Sequence, residues 1–224
     1  MIVVTGASRG LGGAIVSRLT GRGEHVVGLA RNTEGLPFPS IACDVSSHAE
    51  VRAAAKDLKK MGQVSALINA AGIASMNLAV TTPPDVARRI INTNLLGTIY
   101  CCQLISPLML RQRQGRIINF STIAVALGLK GESIYVASKA GVEGFTRAFA
   151  REMSDFNITV NGIAPGPIKT DLLRGVTDAQ ISTIVNEQII RREFSAEDVC
   201  DLVELLLNRK SDSLSGQIFH VGGV

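Results

Sequence analysis

The run Thr5-Gly6-Ala7-Ser8-Arg9-Gly10-Leu11-Gly12 constrains this chain more than any other segment. It follows the β-branched stretch Ile2-Val3-Val4-Thr5 and opens a segment of helical period. Glycines at a strand-to-helix junction let the backbone turn tightly and approach another group closely. The free N–H groups at the start of the helix, together with its dipole, favour negative charge there. Gly6, Ser8, Arg9, Gly10, Leu11 and Gly12 therefore read as a cradle for a diphosphate. Their Gly-x-x-x-Gly-x-Gly spacing differs from the Gly-x-Gly-x-x-Gly of the best-known dinucleotide fingerprint. Many such turns use glycine for sterics alone. Position, at the first strand and first helix, gives the phosphate reading its weight.

Beyond that turn, short β-rich runs alternate with longer segments of helical period, which signals an α/β fold with a parallel sheet. Strands are expected at Ile2–Thr5, His25–Ala30, Ser40–Cys43, Ala66–Asn69, Arg116–Phe120, Ile158–Ile163 and Gln217–Val221. Helices are expected at Gly10–Thr20, Ser47–Lys60, Asp85–Gln112, Tyr135–Met153 and Ala196–Leu207. In the fourth helix, Val136, Ala140, Phe145, Phe149 and Met153 form an apolar stripe, with Arg147, Arg151 and Glu152 off it. One connection departs from the pattern. Only Arg31 to Pro39 separate the second and third strands, whereas a parallel crossover usually needs a dozen residues or more and a helix.

A chain of 224 residues without repeats or a Pro- or Ser-rich linker fits one domain with a full core. Its 46% hydrophobic content excludes a disordered chain. No apolar run approaches the ~18 residues of a membrane span, and the chain opens on a strand, not on a basic and apolar leader. A cytoplasmic location without a membrane partner is expected. Cys43, Cys101, Cys102 and Cys200 lack paired spacing, and His25, His48 and His220 are scattered, so neither disulfides nor a metal site are expected. The net charge of +4 comes from cations placed singly or in pairs. That argues against a nucleic-acid partner and suits an anionic small molecule.

Tyr135 and Lys139 lie four residues apart, one turn along one face of a helix. A free phenol, with a pKa of about 10, shuttles protons poorly at neutral pH. An ammonium group held close is expected to pull it towards the working range. The pair alone reads equally as a solvated helix face. The second strand ends Gly28-Leu29-Ala30-Arg31, with Ala30 where an enzyme using NAD would carry an acid for the ribose hydroxyls. Arg31 and Arg9 can aim forked donors at a 2′-phosphate, so NADP(H) is expected over NAD(H). Asp44 ends the third strand and is expected at the adenine edge.

Taken together, these segments resemble the short-chain dehydrogenases/reductases of compact single-domain type. The resemblance spans nearly the whole chain, in the family's order. It takes in Thr5–Gly12, Asp44-Val45, Asn69-Ala70-Ala71-Gly72, Asn92-Thr93-Asn94 with Gly97, Tyr135 with Lys139, Asn161, and Pro165-Gly166-Pro167-Ile168-Lys169-Thr170. Within the family, Ile158-Thr-Val-Asn161 leading into Pro165-Gly166 is similar to 3-oxoacyl-acyl-carrier-protein reductases. The resemblance implies one Rossmann-like domain over residues 1–224, a doubly wound seven-stranded parallel sheet with helices on both faces. It implies reduction of a carbonyl, or the reverse, by hydride transfer. Tyr135 would be the acid or base, and Lys139 would tune it and bind the nicotinamide ribose. Asn94 would hold a water of the proton relay. Asn69 and Gly72 would line the adenosine side, Asp44 and Val45 the adenine, and Ile168 and Thr170 the carboxamide.

Departures from the family pattern are informative. The family's Asn-Asn-Ala-Gly is here Asn69-Ala70-Ala71-Gly72, and Phe156 stands where carrier-protein reductases tend to expose a base. Thirteen residues before Tyr135, where the family has its catalytic serine, stands Thr122, with Ser121 beside it. Strand alternation predicts the Thr122 hydroxyl facing Tyr135 and Ser121 turned away. The substrate is expected to be a small carbonyl compound or alcohol, acyl thioesters included, under a lid formed by Asp171 to Glu193. A 3-oxoacyl-carrier reductase and a catalytically silent dinucleotide-binding regulator are the rival functions. Outward apolar positions Leu95, Ile99, Cys102, Phe145 and Phe149, with the Gly222-Gly223 tail, predict a homodimer or homotetramer.

Overall fold

A computed structural model describes residues 1–168 and 177–224 of the chain. Seven strands form one parallel sheet: β1 (Ile2–Thr5), β2 (Val26–Ala30), β3 (Ser40–Ala42), β4 (Ala66–Asn69), β5 (Gly115–Phe120), β6 (Ile158–Ala164) and β7 (Ile218–His220). Their spatial order is β3-β2-β1-β4-β5-β6-β7, every neighbouring pair parallel. The order reverses between β1 and β4, where Thr5 sits opposite Asn69. In open α/β sheets the crevice at that switch point, beyond the carboxyl ends of the strands, takes the ligand.

Every residue of β1, β2, β4, β5 and β6 is buried, whereas the edge strands β3 and β7 are partly exposed. A parallel sheet needs both faces covered, and alternation along β1 shows how this is done. Val3 enters one apolar cluster with α2 (His48–Met61), α4 (Gly97–Ile105) and α7 (Ser133–Ser154). Ile2 and Val4 enter the other, with α1 (Gly10–Gly21) and α9 (Ala196–Leu207). Ser47 caps α2 by accepting from the Glu50 N–H, and Ser195 and Asp198 form a capping box on α9.

The helix expected at Asp85–Gln112 is instead α3 (Pro84–Ile91), a π-helical turn at Asn92–Leu96, α4, and α5 (Pro107–Leu110). The π turn inserts an extra residue and places Asn94 fully inside. Pro107, lacking an N–H, marks the break before α5. A window within the run Pro84–Leu110 is apolar enough by length and composition to cross a membrane, a test that a buried core helix also meets. Here the run supplies Cys101, Cys102, Ile105 and Met109 to the core. Two short helices were not expected: α6 (Ala124–Leu127) and α8 (Asp178–Glu187).

The stripe on α7 is also corrected. Its buried side carries Tyr135, Ser138, Lys139, Val142, Thr146, Phe149 and Met153, while Ala140 is exposed and Val136 half-buried. Polar side chains occupy much of that inner face because they belong to the site, and hydrophobicity alone could not locate it. Cys102 and Phe149, expected to face outward, are core residues. Leu95, Ile99 and Phe145 stay half-buried.

No helix fills Arg31 to Pro39. Phe38 does part of that work, its ring lying so close to Gly28 that a β-carbon there would come within 2.6 Å of it. A side chain on β2 has been exchanged for one from the crossover.

Candidate active site

The cradle is built by close approach. Gly6 has a left-handed φ of 68°, and a β-carbon on it would lie 2.8 Å from Cα of Ala71. A β-carbon on Gly12 would lie 2.3 Å from the Gly6 carbonyl oxygen. The turn from β1 thus presses on the segment after β4, where the Ala71 N–H also donates to Thr5 Oγ1 at 3.0 Å. No side chain caps the first turn of α1 and no acid stands in it. Its N–H groups and dipole therefore meet an anion without competition.

From this turn a cleft of about 1060 Å³ runs across the carboxyl ends of the strands. Gly6, Ser8, Arg9, Gly10, Leu11, Gly12, Arg31, Asp44, Val45, Gly72 and Ile168 all line it. Arg9 and Arg31 are exposed and Ala30 is buried at one end. The Asp44 carboxylate accepts from the Ser46 N–H at 2.9 Å and the Ser46 hydroxyl at 2.7 Å. Asn69 is not among the lining residues. Its amide lies beneath the floor and donates to Asn119 Oδ1 at 2.9 Å and to Cys102 Sγ at 3.3 Å. Thr170 falls outside the described residues.

At the other end, Thr122, Tyr135 and Lys139 come together. Both Thr122 and Tyr135 line the cleft, the Thr122 hydroxyl lies close enough to act on the phenol, and its oxygen accepts from the Ala124 N–H at 3.2 Å. Ser121 points the other way and donates to Glu143 Oε1 at 2.7 Å. Lys139 Nζ donates to the Phe120 carbonyl at 2.8 Å and lies 6.0 Å from the centre of the Tyr135 ring. Asn94 Oδ1 accepts from the Ile73 N–H at 2.8 Å. Its Nδ2 donates to the Ile73 carbonyl at 2.9 Å and to Ser138 Oγ at 3.0 Å. Asn94 Oδ1 and Lys139 Nζ both face Gly72.

Residues 1–181 match the short chain dehydrogenase family over the same span that builds the cradle and this cluster. The chain belongs to that family. This dehydrogenase is 36% identical to the 3-oxoacyl-[acyl-carrier-protein] reductase FabG of Staphylococcus epidermidis, over 99% of this chain and 96% of that reductase. It is 32% identical to the Salmonella typhimurium reductase of the same name, over 99% and 95%. Among solved structures, the ligand-free aldohexose dehydrogenase AldT of Thermoplasma acidophilum superposes with a TM-score of 0.90 at 30% identity, covering 99% of this chain and 92% of that one. ElxO with NADP bound superposes at 0.89 and 26% identity, covering 98% and 96%.

Electrostatics in the dehydrogenase's cleft differ from the expectation drawn from spacing. Burial, and then the Glu132 carboxylate, push the Tyr135 phenol above its ordinary range, while the Thr122 hydroxyl acts in the opposite sense. Lys139 does not supply the expected depression, because its ammonium is turned to the Phe120 carbonyl. Burial lowers Lys139 itself from 10.5 to about 8. Desolvation dominates both groups.

Four participants belong to none of the motifs above: Glu132, the π turn beneath Asn94, Ser138, and Glu143 behind Ser121. Glu132 had a signal, since it stands three residues before Tyr135 and so near it on the helix. The π turn had none, because its sequence Asn-Thr-Asn-Leu-Leu is unremarkable for an α-helix.

The Lys139 shift has a thermodynamic consequence. Between pH of about 8 and 10.5 the unfolded chain binds a proton at this site that the folded chain has lost. Folding stability contributed by Lys139 therefore rises with pH through that window, by about 3 kcal/mol in total. Urea unfolding of the wild type and Lys139→Met at pH 7 and pH 10 should show the stability difference between the two shifting in favour of the wild type at the higher pH, against a background of buried thiols common to both. Parallel pH dependences of the two proteins would refute it.

Proposed function

We propose that this dehydrogenase reduces a small carbonyl compound with NADPH, or runs the reverse oxidation, with Tyr135 as general acid and base. The observation that carries the reading is that Thr122, Tyr135 and Lys139 line the same cleft that begins at the glycine-rich cradle. The uncapped first turn of α1 and the crowding at Gly12 fit a diphosphate. Ala30, with Arg9 and Arg31 at the same end of the cleft, fits a cofactor carrying a 2′-phosphate. NADP bound to ElxO points the same way. When bound, the nicotinamide supplies or accepts the hydride.

The residues then divide the work by position. Tyr135, with its pKa raised, stays protonated at neutral pH and is loaded to protonate a carbonyl oxygen. The Thr122 hydroxyl supplies a second hydrogen bond where negative charge grows on that oxygen. Lys139 would hold the nicotinamide ribose. Asn94 has both amide hydrogens committed to Ile73 and Ser138, so a relay water on the way to Lys139 would be held by an Asn94 oxygen. Asp44 and Val45 would flank the adenine, Gly72 the adenosine, and Ile168 with Thr170 the carboxamide. Asn69 would act from below the floor, through Asn119.

Reduction of a 3-oxoacyl thioester is a second reading, favoured by the 36% identity to a reductase of that name. Phe156 packs against the core where a docking base would be exposed, which weighs against recognition of an acidic carrier. The regulator reading is disfavoured by the gathering of Thr122, Tyr135 and Lys139 in one cleft. We also propose a cytoplasmic homodimer or homotetramer built on the half-buried Leu95, Ile99 and Phe145. A monomer in light scattering at micromolar concentration would overturn that assembly.

Two experiments test the activity. NADPH consumption should be found in a screen of ketones, β-ketoacyl thioesters, quinones and keto-sugars. Thr122→Val should then lower turnover by about a hundredfold, the scale set by loss of one donor to a developing oxyanion, and Thr122→Ser should retain it. Ser121→Ala should mainly cost stability, about 1–3 kcal/mol, because Glu143 loses a buried donor. If Ser121→Ala abolishes turnover and Thr122→Val does not, the assignment of the hydroxyl is wrong. For the cofactor, calorimetry should show NADPH bound more tightly than NADH. Arg31→Ala should weaken NADPH about tenfold or more and leave NADH nearly unchanged; equal affinities in the wild type would refute the preference.

A further inference from the structure

Glu132 stands immediately before α7, three residues ahead of Tyr135, and lines the same cleft. It is half-buried, and among the described residues no cation or hydrogen-bond donor meets its carboxylate. Ile123, Leu129 and Ile184 are among the apolar side chains that line the same cleft. The other polar side chains at this end are accounted for. The Thr122 oxygen accepts from the Ala124 N–H, the Tyr135 phenol is assigned above to the reacting oxygen, Lys139 donates to the Phe120 carbonyl, and Ser121 to Glu143. Glu132 is thus a half-buried carboxylate on the cleft wall, near the phenol and without a partner among the described residues.

Such a group loses hydration and gains nothing in return unless a ligand donates to it. Its environment shows the loss, since burial raises the Glu132 carboxyl above its ordinary value. A carboxylate accepts hydrogen bonds and repels anions. Given the reductase reading above, on which this rests, we propose that Glu132 selects the substrate. Its carboxylate accepts a hydrogen bond from a hydroxyl on the carbon next to the reacting carbonyl. The preferred substrates are then α-hydroxy carbonyl compounds, and 2-oxo acids are excluded by charge.

The test uses three probes of similar shape with NADPH: hydroxyacetone, butanone and pyruvate. They place a hydroxymethyl, an ethyl or a carboxylate group on the same carbonyl carbon. Wild-type kcat/KM should favour hydroxyacetone over butanone by about tenfold or more, the scale of a site built to bond a substrate hydroxyl. Glu132→Leu should bring that ratio close to one. Glu132→Gln, which keeps an accepting oxygen and removes the charge, should retain much of the ratio and raise activity on pyruvate. Thermal unfolding checks that both variants are folded, and the Gln variant carries the test alone if the Leu variant is not.

A ratio unchanged in Glu132→Leu, or pyruvate activity unchanged in Glu132→Gln, would overturn the assignment while leaving the reductase intact. Wild-type protein that binds NADPH but turns over no carbonyl in the broader screen would overturn the reductase reading, and this assignment with it. Butanone preferred over hydroxyacetone by the wild type would also reject it.

Discussion

Everything in this molecule hangs on the approach of the turn after β1 to the segment after β4. The two strands are neighbours at the point where strand order reverses, so their connections leave towards opposite faces and a crevice opens between them. Gly6 and Gly12 keep the turn in register with its surroundings, because a β-carbon at either position would strike backbone atoms. Backbone cannot yield as a flexible side chain can. The N-terminus of α1 is consequently aimed along the crevice, and the carboxyl end of β5 delivers Thr122 to the same space.

The catalytic end shows what this placement costs. Tyr135, Lys139 and Asn94 are all buried, and Glu132 is partly so. Burial drives the phenol and the carboxyl up and the ammonium down, each towards its neutral form. A site with these shifts is poised to hold a proton on Tyr135, which suits donation to an incoming carbonyl more than abstraction from an alcohol. Such perturbed groups gathered in a cleft are a physical mark of function. They are also a burden on stability that the two apolar clusters must offset.

Strand alternation separates two adjacent hydroxyls with one residue of difference. Ser121 donates to Glu143 on α7, and Thr122 lines the cleft with Tyr135. Of the two, Thr122 is the hydroxyl on the Tyr135 side. Glu143, held by Arg147 at 3.1 Å as well, anchors the end of β5 from behind. An inward Ser121 would leave that carboxylate without its serine donor.

By itself the sequence determined the alternation of β and α, the glycine-rich turn and the Tyr135/Lys139 spacing, because each depends on local backbone geometry or short-range periodicity. All seven strands were legible for that reason, their β-branched runs being too short and too apolar for helices. The helix split at Asn92–Leu96 was not, since a π turn is selected by what Asn94 can bond inside the fold, namely Ile73 and Ser138. The inner face of α7 was misread because polar site residues occupy it, so an apolar stripe marks the wrong side. Nor could spacing say which way the Lys139 ammonium points or that Glu132 lacks a partner among the described residues. Those were decided by tertiary structure, because dielectric and hydrogen-bond partners arise from residues distant in the chain, such as the Phe120 carbonyl nineteen positions before Lys139.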